Sequence, residues 1–501
     1  MKKILIAVFA ALVTAAWVLP AMAVDTTFYG TYRVRLFSTN NAADYNSSGD
    51  RKLYSGSGST VTTTTGANPT DNNSWIDQRF RLSIESKASD QLRGFVQLQI
   101  GNTSGLNRST IWGDGSYTSN TVFARQAYLS FNAGPVRVKA GRQIFGDAPD
   151  GGQSFKVSDD NQYYGLLDGG LILIAQADAF VLTTQKSLDP LNLLFGYAKL
   201  TEASSGSTTT GASDKDNTLY ILQATAAPSD TLTAGAYFLY DRDRTTVSPS
   251  AGTGQNSPWW VGGGVVAKLD PINLKAHVAY LGGKYEKGCQ PGSCGLAATD
   301  SAKDLKYSAY AVDIDVSGNV GPAKVGGVVG RGSGDKSTQD TKSKTFMGVA
   351  GSYGNQLGAR PAIFFDSGEV SNGGAALSTT NSNGISQSTL GNVTFAELYA
   401  SFKATDELSL NALAAGFWLT EKKNTTSSTN TNTWNSKLGT EVDLVAVYKL
   451  YKELALVGQA AWFMPGEGIR TYKNTAGNNA AGSLASKDAV SEYFAKIQYD
   501  F

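Results

Sequence analysis

Few side chains in this sequence could perform a chemical reaction, and none stands in a catalytic or metal-binding pattern. The single histidine, His277, lies on the polar side of residues 272–281, and no serine or cysteine nucleophile has a motif around it. Cys289 and Cys294 are separated by four residues rich in Gly and Pro, a spacing that fits neither zinc ligands nor a CxxCH haem attachment. We therefore expect no enzyme, no metal and no cofactor, and a local disulfide between Cys289 and Cys294.

Charged side chains recur at every second position in several segments, which points to electrostatic selection rather than to catalysis. Basic residues have the polar parity near the N-terminus: Arg33, Arg35, Arg79, Arg81, Arg93, Arg137 and Lys139. Acidic residues have it in later segments: Asp313, Asp315, Glu397, Glu441 and Asp443. On neighbouring strands these charges would form a basic wall and an acidic wall. Solvated or mutually paired charges with no selective role are an equally weighted alternative.

The elements that carry these charges are segments of about ten residues, the length of a membrane-crossing strand. Residues 27–37 have mostly apolar side chains on one parity and mostly polar or charged ones on the other, which is the period of a β-strand. Connections are alternately short, as at 404–407, and long, as at 38–74, where Ser, Thr, Asn and Gly dominate. This alternation is typical of a barrel that crosses a membrane, with long loops on one side and short turns on the other.

Length, composition and the first residues narrow the class of protein. The chain has 501 residues, a formal net charge of +1, 55 glycines and 17% charged residues, and nothing in it marks a domain boundary. Lys2 and Lys3, the apolar run 4–19 and the small residues before position 24 predict a secretory signal peptide over residues 1–23. Residues 24–501 then form one transmembrane β-barrel domain. They contain no apolar run long enough for a transmembrane helix and no charge excess that would attract nucleic acid.

The predicted fold is an all-β antiparallel barrel of about 18 strands, within a range of 16–20. The uncertainty is whether residues 344–352 and 360–366 are two strands of the wall. Six tryptophans occur where a strand meets a long loop and predict an aromatic girdle at one membrane interface: Trp75, Trp259, Trp260, Trp418, Trp434 and Trp462. The soluble alternative, a β-sandwich or β-helix, would scatter or bury them.

The segment 144–170 is a candidate constriction loop. It is the third long connection, and Gly146, Gly151 and Gly152 allow it to bend. In bacterial porins the third long loop folds inward and narrows the pore, so we expect its acidic residues to face the arginines: Asp147, Asp150, Asp159 and Asp160. An ordinary surface loop is the alternative. A calcium site is disfavoured because residues 147–152 lack the acidic spacing of an EF-hand loop.

The final segment, residues 493–501, reads YFAKIQYDF and has one apolar and one polar face. It resembles the closing strand of bacterial outer-membrane β-barrels, whose terminal aromatic residue is part of the signal for insertion. That resemblance implies that Phe501 is read by the barrel-assembly machinery and that the protein resides in the outer membrane, in contact with its lipid.

Two further stretches resemble the alginate-export-like family of outer-membrane porins. Residues 124–147, ARQAYLSFNAGPVRVKAGRQIFGD, are similar to a strand pair of that family in which Gly-Arg-Gln leads into an inward loop. Residues 438–468, LGTEVDLVAVYKLYKELALVGQAAWFMPGEG, are similar to its penultimate hairpin. The resemblance implies a barrel with a polar, often basic lumen. It does not extend to export of alginate.

The expected function is therefore a passive channel for ions and small hydrophilic solutes, with the arginines favouring anions. The alternative is a structural barrel that sheathes a multihaem cytochrome and carries electrons across the membrane. Because the chain lacks a CxxCH motif, the cytochrome would be a separate partner. The sequence leaves the oligomeric state open, including a homotrimer.

Overall fold

Antiparallel β-strands form most of the described structure. Among the described residues, no helix is long and apolar enough to cross a membrane. The computed structural model describes residues 24–40, 73–101, 110–111, 121–145, 172–173, 175–184, 188–202, 216–245, 247, 252–291, 296–297, 300–336, 340–349, 361–365, 390–422, 436–466 and 489–501.

The wall of the molecule consists of 18 long strands, numbered in chain order. They are β1 (Asp25–Asn40), β2 (Asn73–Ser89), β3 (Leu92–Gly101), β4 (Thr121–Ala133), β5 (Val136–Phe145), β6 (Ala175–Thr183), β7 (Leu191–Thr201), β8 (Asn217–Ser229), β9 (Leu232–Asp243), β10 (Asn256–Leu269), β11 (Ile272–Cys289), β12 (Ala309–Val320), β13 (Ala323–Gly332), β14 (Val393–Lys403), β15 (Leu408–Leu419), β16 (Lys437–Tyr451), β17 (Leu454–Pro465) and β18 (Val490–Asp500). Three shorter segments pair at the edges of this wall: Thr110–Ile111, Lys303–Tyr307 and Lys342–Ser343.

The wall is a closed barrel. Each strand pairs antiparallel with the next, and β1 also pairs with β18 in a register that sets Thr31 opposite Asp500 and Asn40 opposite Ser491. Closure leaves no free sheet edge, so the backbone donors and acceptors of the wall are satisfied within it. The predicted all-β barrel and its number of strands are confirmed.

Alternation along each strand separates the outer surface from the lumen. On β1, Phe28 and Leu36 point outward and are 61% and 47% exposed, whereas Arg33 and Arg35 point inward and are 3% and 0% exposed. The cause is the two-residue period of the strand, which sends successive side chains to opposite faces. The outer surface is therefore apolar, and charged groups of this strand lie inside.

The two ends of the barrel differ in their connections. One end has turns such as residues 230–231 and 404–407, and the other has the long connections. We refer to them as the short-turn end and the long-loop end. The described parts of the two uncertain segments, 344–349 and 361–365, are not wall strands; they belong to the connection between β13 and β14. Phe346, Val349 and all of 361–365 are buried inside the barrel. This is why the strand number is 18 rather than 20.

Only some of the tryptophans predicted to form an aromatic girdle face the membrane. Trp259 and Trp418 face outward near the long-loop end, but Trp260 is fully buried inside the barrel, and its Nε1 donates to the Met347 carbonyl at 2.8 Å. Trp75 is also inward and stacks on Phe37 with ring centroids 4.7 Å apart. Position beside a loop sets the height of a residue in the wall, whereas its parity sets the face. Trp462 donates from Nε1 to the outward Tyr493 hydroxyl, and Trp434 lies outside the described residues.

Candidate functional site

Inward-facing arginines concentrate on β1 and β2, which pair along their whole length. Arg33 lies directly opposite Arg79, and Arg81 lies opposite Thr31, two residues nearer the short-turn end. Arg33, Arg79 and Arg81 are 3%, 2% and 0% exposed. Like charges directly opposite each other destabilise a strand pair. The repulsion between these arginines therefore destabilises the pair of strands, and neighbouring polar groups must offset that repulsion.

Polar side chains on adjacent strands hold two of the inward arginines, Arg35 and Arg81. Arg35 forms a bidentate ion pair with Asp77, in which Nε donates to Oδ1 at 2.9 Å and Nη2 donates to Oδ2 at 2.7 Å. Arg81 Nε donates to Gln99 Oε1 at 2.7 Å. These contacts fix the guanidinium planes against the wall, which pre-orients their donors. We refer to the inward cations of this region as the basic arc: Arg33, Arg35, Arg79, Arg81, Arg125 and Lys496.

Two members of the basic arc were missed by the sequence analysis. Arg125 is 2% exposed and donates from Nη1 to Gln97 Oε1 at 2.7 Å. The register between β3 and β4 shifts at Gln97, so that Arg125 and Gln126 are both buried, and parity along β4 changes there. Lys496 is the Cα partner of Arg35 and shares the polar parity of β18. That parity was a sufficient signal for Lys496, whereas the register shift has no counterpart in the sequence.

The other predicted basic residues lie nearer the short-turn end. Arg93 pairs with Glu85 at 3.1 Å. Arg137 Nε donates to Asn132 Oδ1 at 3.1 Å, within the hairpin that joins β4 and β5. Lys139 Nζ lies 4.0 Å from the centroid of the Tyr128 ring. The structure thus spreads the predicted basic residues along β1 to β5 rather than gathering all of them in one cluster.

The predicted acidic residues form a second part of the inner wall, which we call the acidic arc: Asp313, Asp315, Glu397, Glu441 and Asp443. The strand register aligns three of them in one row, from Asp315 on β12 through Glu397 on β14 to Glu441 on β16. Glu397 and Glu441 are 3% and 0% exposed, and Asp315 accepts a hydrogen bond of 2.9 Å from the Tyr399 hydroxyl. The two arcs meet at β18, which carries Glu492 and Lys496 on its inner face.

A short inward segment covers one part of the acidic arc. We call residues 361–365 the strap. The Ile363 and Phe364 backbone N–H groups donate to the two carboxylate oxygens of Glu441 at 2.6 and 2.8 Å, and the Ala362 N–H donates to Asp443 Oδ2 at 2.9 Å. Three backbone donors in a row thus bind two neighbouring carboxylates, an arrangement that holds anionic groups firmly.

Aromatic packing fixes the strap against the same wall. The Phe364 ring stacks on Phe417 of β15 with centroids 3.9 Å apart and an interplanar angle of 15°. Phe365 meets Phe395 of β14 edge-on at 5.2 Å, and Phe463 of β17 lies 5.9 Å from Phe364. Offset and edge-on ring pairs of this kind add about 0.5–1.5 kcal/mol each to the burial of the rings. The strap is therefore an apolar body seated inside the barrel near the long-loop end.

A further part of the inner wall, along β6 to β12, is apolar and covered. Leu239, Trp260 and Leu281 are each 0% exposed. The residues that pack inside the barrel here belong to the same hydrophobic cluster: Ile172, Leu173, Phe346 and Val349. Val349 N–H donates to the Ile172 carbonyl at 2.9 Å, which joins the third long connection to the one between β13 and β14.

Several predicted sites fall partly or wholly outside the described residues. Asp147, Asp150, Asp159 and Asp160 of the candidate constriction loop do so, although Ile144 and Phe145 at its start are 3% and 0% exposed. Cys289 is disulfide-bonded and buried, but Cys294 lies outside the described residues, so their pairing stays a prediction. The same holds for the signal peptide, residues 1–23.

The histidine has a hydrogen-bond partner on a neighbouring part of the wall. The Tyr237 hydroxyl and His277 Nε2 are 2.6 Å apart, and the two rings meet edge-on. The Tyr237 hydroxyl lies over Gly262, where a Cβ atom would collide with it, so glycine makes room for this contact. Among the described residues, no group of three or more His, Cys, Asp and Glu side chains is placed to hold a metal ion.

Comparison with solved structures places the barrel in a known fold. OccK9 (OpdG) of Pseudomonas aeruginosa matches over 95% of this chain and 98% of its own, with 14% sequence identity and a TM-score of 0.51. The chain has the fold of an outer-membrane porin. OccK8 (OprE) of the same organism and a BenF-like porin from Pseudomonas fluorescens Pf-5 each match over 95% of this chain and 98% of their own. Their identities are 11% and 13%, and their TM-scores are 0.49 and 0.48.

Sequence comparison adds no narrower family. No protein-family model matches the chain, and a search of curated proteins finds no match either. The resemblance of residues 124–147 and 438–468 to alginate-export-like porins therefore gains no support, whereas the broader porin fold does.

Proposed function

We propose that the protein is an outer-membrane channel through which ions and small hydrophilic solutes diffuse passively, with a preference for anions. The basic arc is the observation that carries this proposal. Arg33, Arg35, Arg79 and Arg81 lie on two neighbouring strands, and Lys496 continues the strip on β18. All five lie on the inner face of the wall and are 0–3% exposed. Their positive charge therefore acts on a crossing solute through its electric field, at successive heights along the barrel.

The outer surface supports a membrane location. Phe28, Phe180 and Leu398 are 61%, 60% and 72% exposed on the outer face of their strands. In water an apolar surface of this extent would aggregate. In a bilayer it is the expected outer face of a closed barrel, the only β-structure that satisfies its backbone there. The proposed location is the outer membrane because the fold is that of its porins.

Arginine is suited to such a strip because of its charge and its donors. A guanidinium stays protonated throughout the range of pH in which proteins work, and it presents five N–H donors in a planar fork. At physiological salt the screening length is about 8 Å, comparable with the half-width of a narrow pore, so the charge acts on a passing ion. Arginine rings favour anions in known pores. We therefore expect an anion preference that pH hardly changes.

The test is a double substitution, Arg79→Ser with Arg81→Ser, in purified protein reconstituted into planar bilayers. The reversal potential in a salt gradient should shift toward cation preference, because two inward charges are removed while the strand pattern is kept. The shift should shrink as the salt approaches 1 M, where screening shortens to about 3 Å. The matched control is Arg331→Ser, an exposed arginine on the outer face whose Nε donates to the Tyr310 hydroxyl.

An unchanged reversal potential at low salt would mean that Arg79 and Arg81 do not border the permeation path. An equal shift in the Arg331→Ser control would show that the measurement does not report on the lumen. A wild-type barrel that conducts no ions would contradict the channel itself and would favour a sheath around a cytochrome.

A further inference from the structure

Glu441 and Asp443 are the acidic residues of the inner wall that the strap covers, and their burial has consequences for selectivity. We infer that the strap masks these two carboxylates from the permeation path and that release of the strap turns the channel toward cations. This inference rests on the proposed channel function and adds to it an element that controls the selectivity.

Contact geometry is the first support. Both Glu441 oxygens accept backbone N–H groups, from Ile363 and Phe364, and Asp443 Oδ2 accepts that of Ala362. Each N–H dipole points its positive end at a carboxylate and partly offsets its field. A solvated cation near Glu441 would have to replace these donors. While the strap is in place, the two carboxylates are therefore hydrogen-bonded to the protein's own backbone.

Steric cover is the second support. Phe364 and Phe365 are 1% and 0% exposed, and they lie among Phe395, Phe417 and Phe463 of the same wall. Glu441 itself is 0% exposed and Asp443 is 3% exposed. Rings packed in this way exclude water and hydrated ions from direct contact with the two carboxylates. Charge separated from the path by apolar groups selects ions less effectively than charge in contact with it.

The charges around the covered pair show what release would expose. Glu397 on β14 shares the strand row of Glu441, and Glu492 on β18 lies in the row of Asp443, across Ala461 of β17. On β15 and β17 themselves, the residues opposite the pair are uncharged. With the strap withdrawn, this region would add carboxylates to the path within a few residues of the basic arc. Carboxylate rings favour cations in pores.

The strap lies outside the hydrogen-bonded ladder of the wall, because it belongs to the connection between β13 and β14. The end of that connection is held separately by Asn392, whose backbone N–H donates to the Ser333 carbonyl at 3.1 Å and whose Oδ1 accepts the Glu421 N–H at 2.8 Å. Substitutions in the strap therefore change a body inside the barrel and leave the ladder between β13 and β14 intact. This makes the strap accessible to a clean test.

The experiment combines two changes in a cycle. The release variant, Phe364→Ser with Phe365→Ser, removes the rings that seat the strap. The neutral variant, Glu441→Gln with Asp443→Asn, removes the charges and places amide N–H groups where carboxylate oxygens accept donors. The third protein carries all four substitutions. Heat-modifiable migration in gels confirms that each barrel is folded, and planar-bilayer recording gives conductance and reversal potential.

We expect the release variant to conduct more than wild type and to shift its reversal potential toward cations. The neutral variant and the fourfold variant should also conduct more, but neither should shift toward cations, because the carboxylates are gone. The matched control is Phe494→Ser on β18, an inward phenylalanine that stacks on Phe37 rather than on the strap; it should keep the wild-type reversal potential.

Three outcomes would overturn the inference. Unchanged selectivity in a folded release variant would mean that Glu441 and Asp443 do not reach the path. An equal cation shift in the fourfold variant would assign the effect to other charges. A shift of the same size in Phe494→Ser would remove its specificity for the strap. In each case the proposed channel function would still hold if the wild-type protein conducts and prefers anions. A wild-type protein that does not conduct would contradict the channel function instead.

Discussion

Two buried arginines that face each other across a strand pair are costly to a folded wall. Arg33 and Arg79 occupy this arrangement, and Arg81 adds a third charge two residues away. The Arg35–Asp77 pair offsets part of the repulsion because it places one carboxylate within the strip. The proposed anion path gives such a cluster a role, whereas a purely structural wall would be more stable with neutral side chains.

The Arg35–Asp77 pair gives a prediction about stability. Both side chains are nearly buried, at 0% and 4% exposure. We expect Arg35→Ala to lower the free energy of unfolding by about 3–5 kcal/mol, because it leaves a buried carboxylate without this partner. The double variant Arg35→Met with Asp77→Leu should cost less, since it removes both charges. Urea unfolding followed by tryptophan fluorescence measures both, and a double variant as unstable as Arg35→Ala would contradict the role of the ion pair.

At the scale of single elements, alternation predicted the strands and their faces but not the strap. Residues 344–352 and 360–366 have apolar residues that suit a strand, yet the described part of each packs against the inner wall. Burial against a wall and membership of a wall demand the same apolar side chains, so the local pattern does not separate them. The bulge that turns Arg125 inward could not be predicted from the sequence either, because a register shift depends on the partner strand.

A glycine in β5 gives a prediction at the same scale. Gly141 has φ of +126° and sits so close to β4 that a Cβ atom would lie 2.9 Å from the Tyr128 Cα. Such a conformation costs other residues about 1–3 kcal/mol. We expect Gly141→Ala to lower the free energy of unfolding by at least that amount.

Gly458 on β17 is the matched control for Gly141, because nothing lies within 4 Å of the Cβ it would gain. Gly458→Ala should leave the unfolding midpoint in urea nearly unchanged. If both substitutions shifted the midpoint equally, the close approach of β5 to β4 at Gly141 would not be the cause.

The whole molecule depends on closure between its first and last strands, and Phe501 lies at that seam. Its backbone exchanges two hydrogen bonds with Gly30, of 2.8 and 3.0 Å, and its ring stacks on Phe80 and Tyr499. The sequence predicted the outward aromatic face of this strand. The contact between Phe501 and Gly30 could not be predicted without the register between β1 and β18. A side chain at position 30 would collide with the Phe501 ring.

Phe501 gives a prediction about assembly. Deletion of Phe501, or Phe501→Lys, should lower the amount of heat-modifiable, membrane-inserted protein, because both recognition by the insertion machinery and closure on β1 suffer. Phe131→Lys is the control, since Phe131 is 37% exposed on the outer face and Phe501 is 40% exposed. A lysine near the membrane interface costs only about 0–1 kcal/mol. Normal insertion of the Phe501 variants would exclude this role.

The barrel as a whole is proposed to conduct anions through its charged lumen. Planar-bilayer recording of the purified wild-type protein in a salt gradient tests this proposal. We expect stable conductance steps and a reversal potential of the sign that anion preference requires, weakening as salt rises toward about 1 M because screening shortens. A barrel that inserts but passes no current, or one that prefers cations at low salt, would contradict an anion-preferring channel.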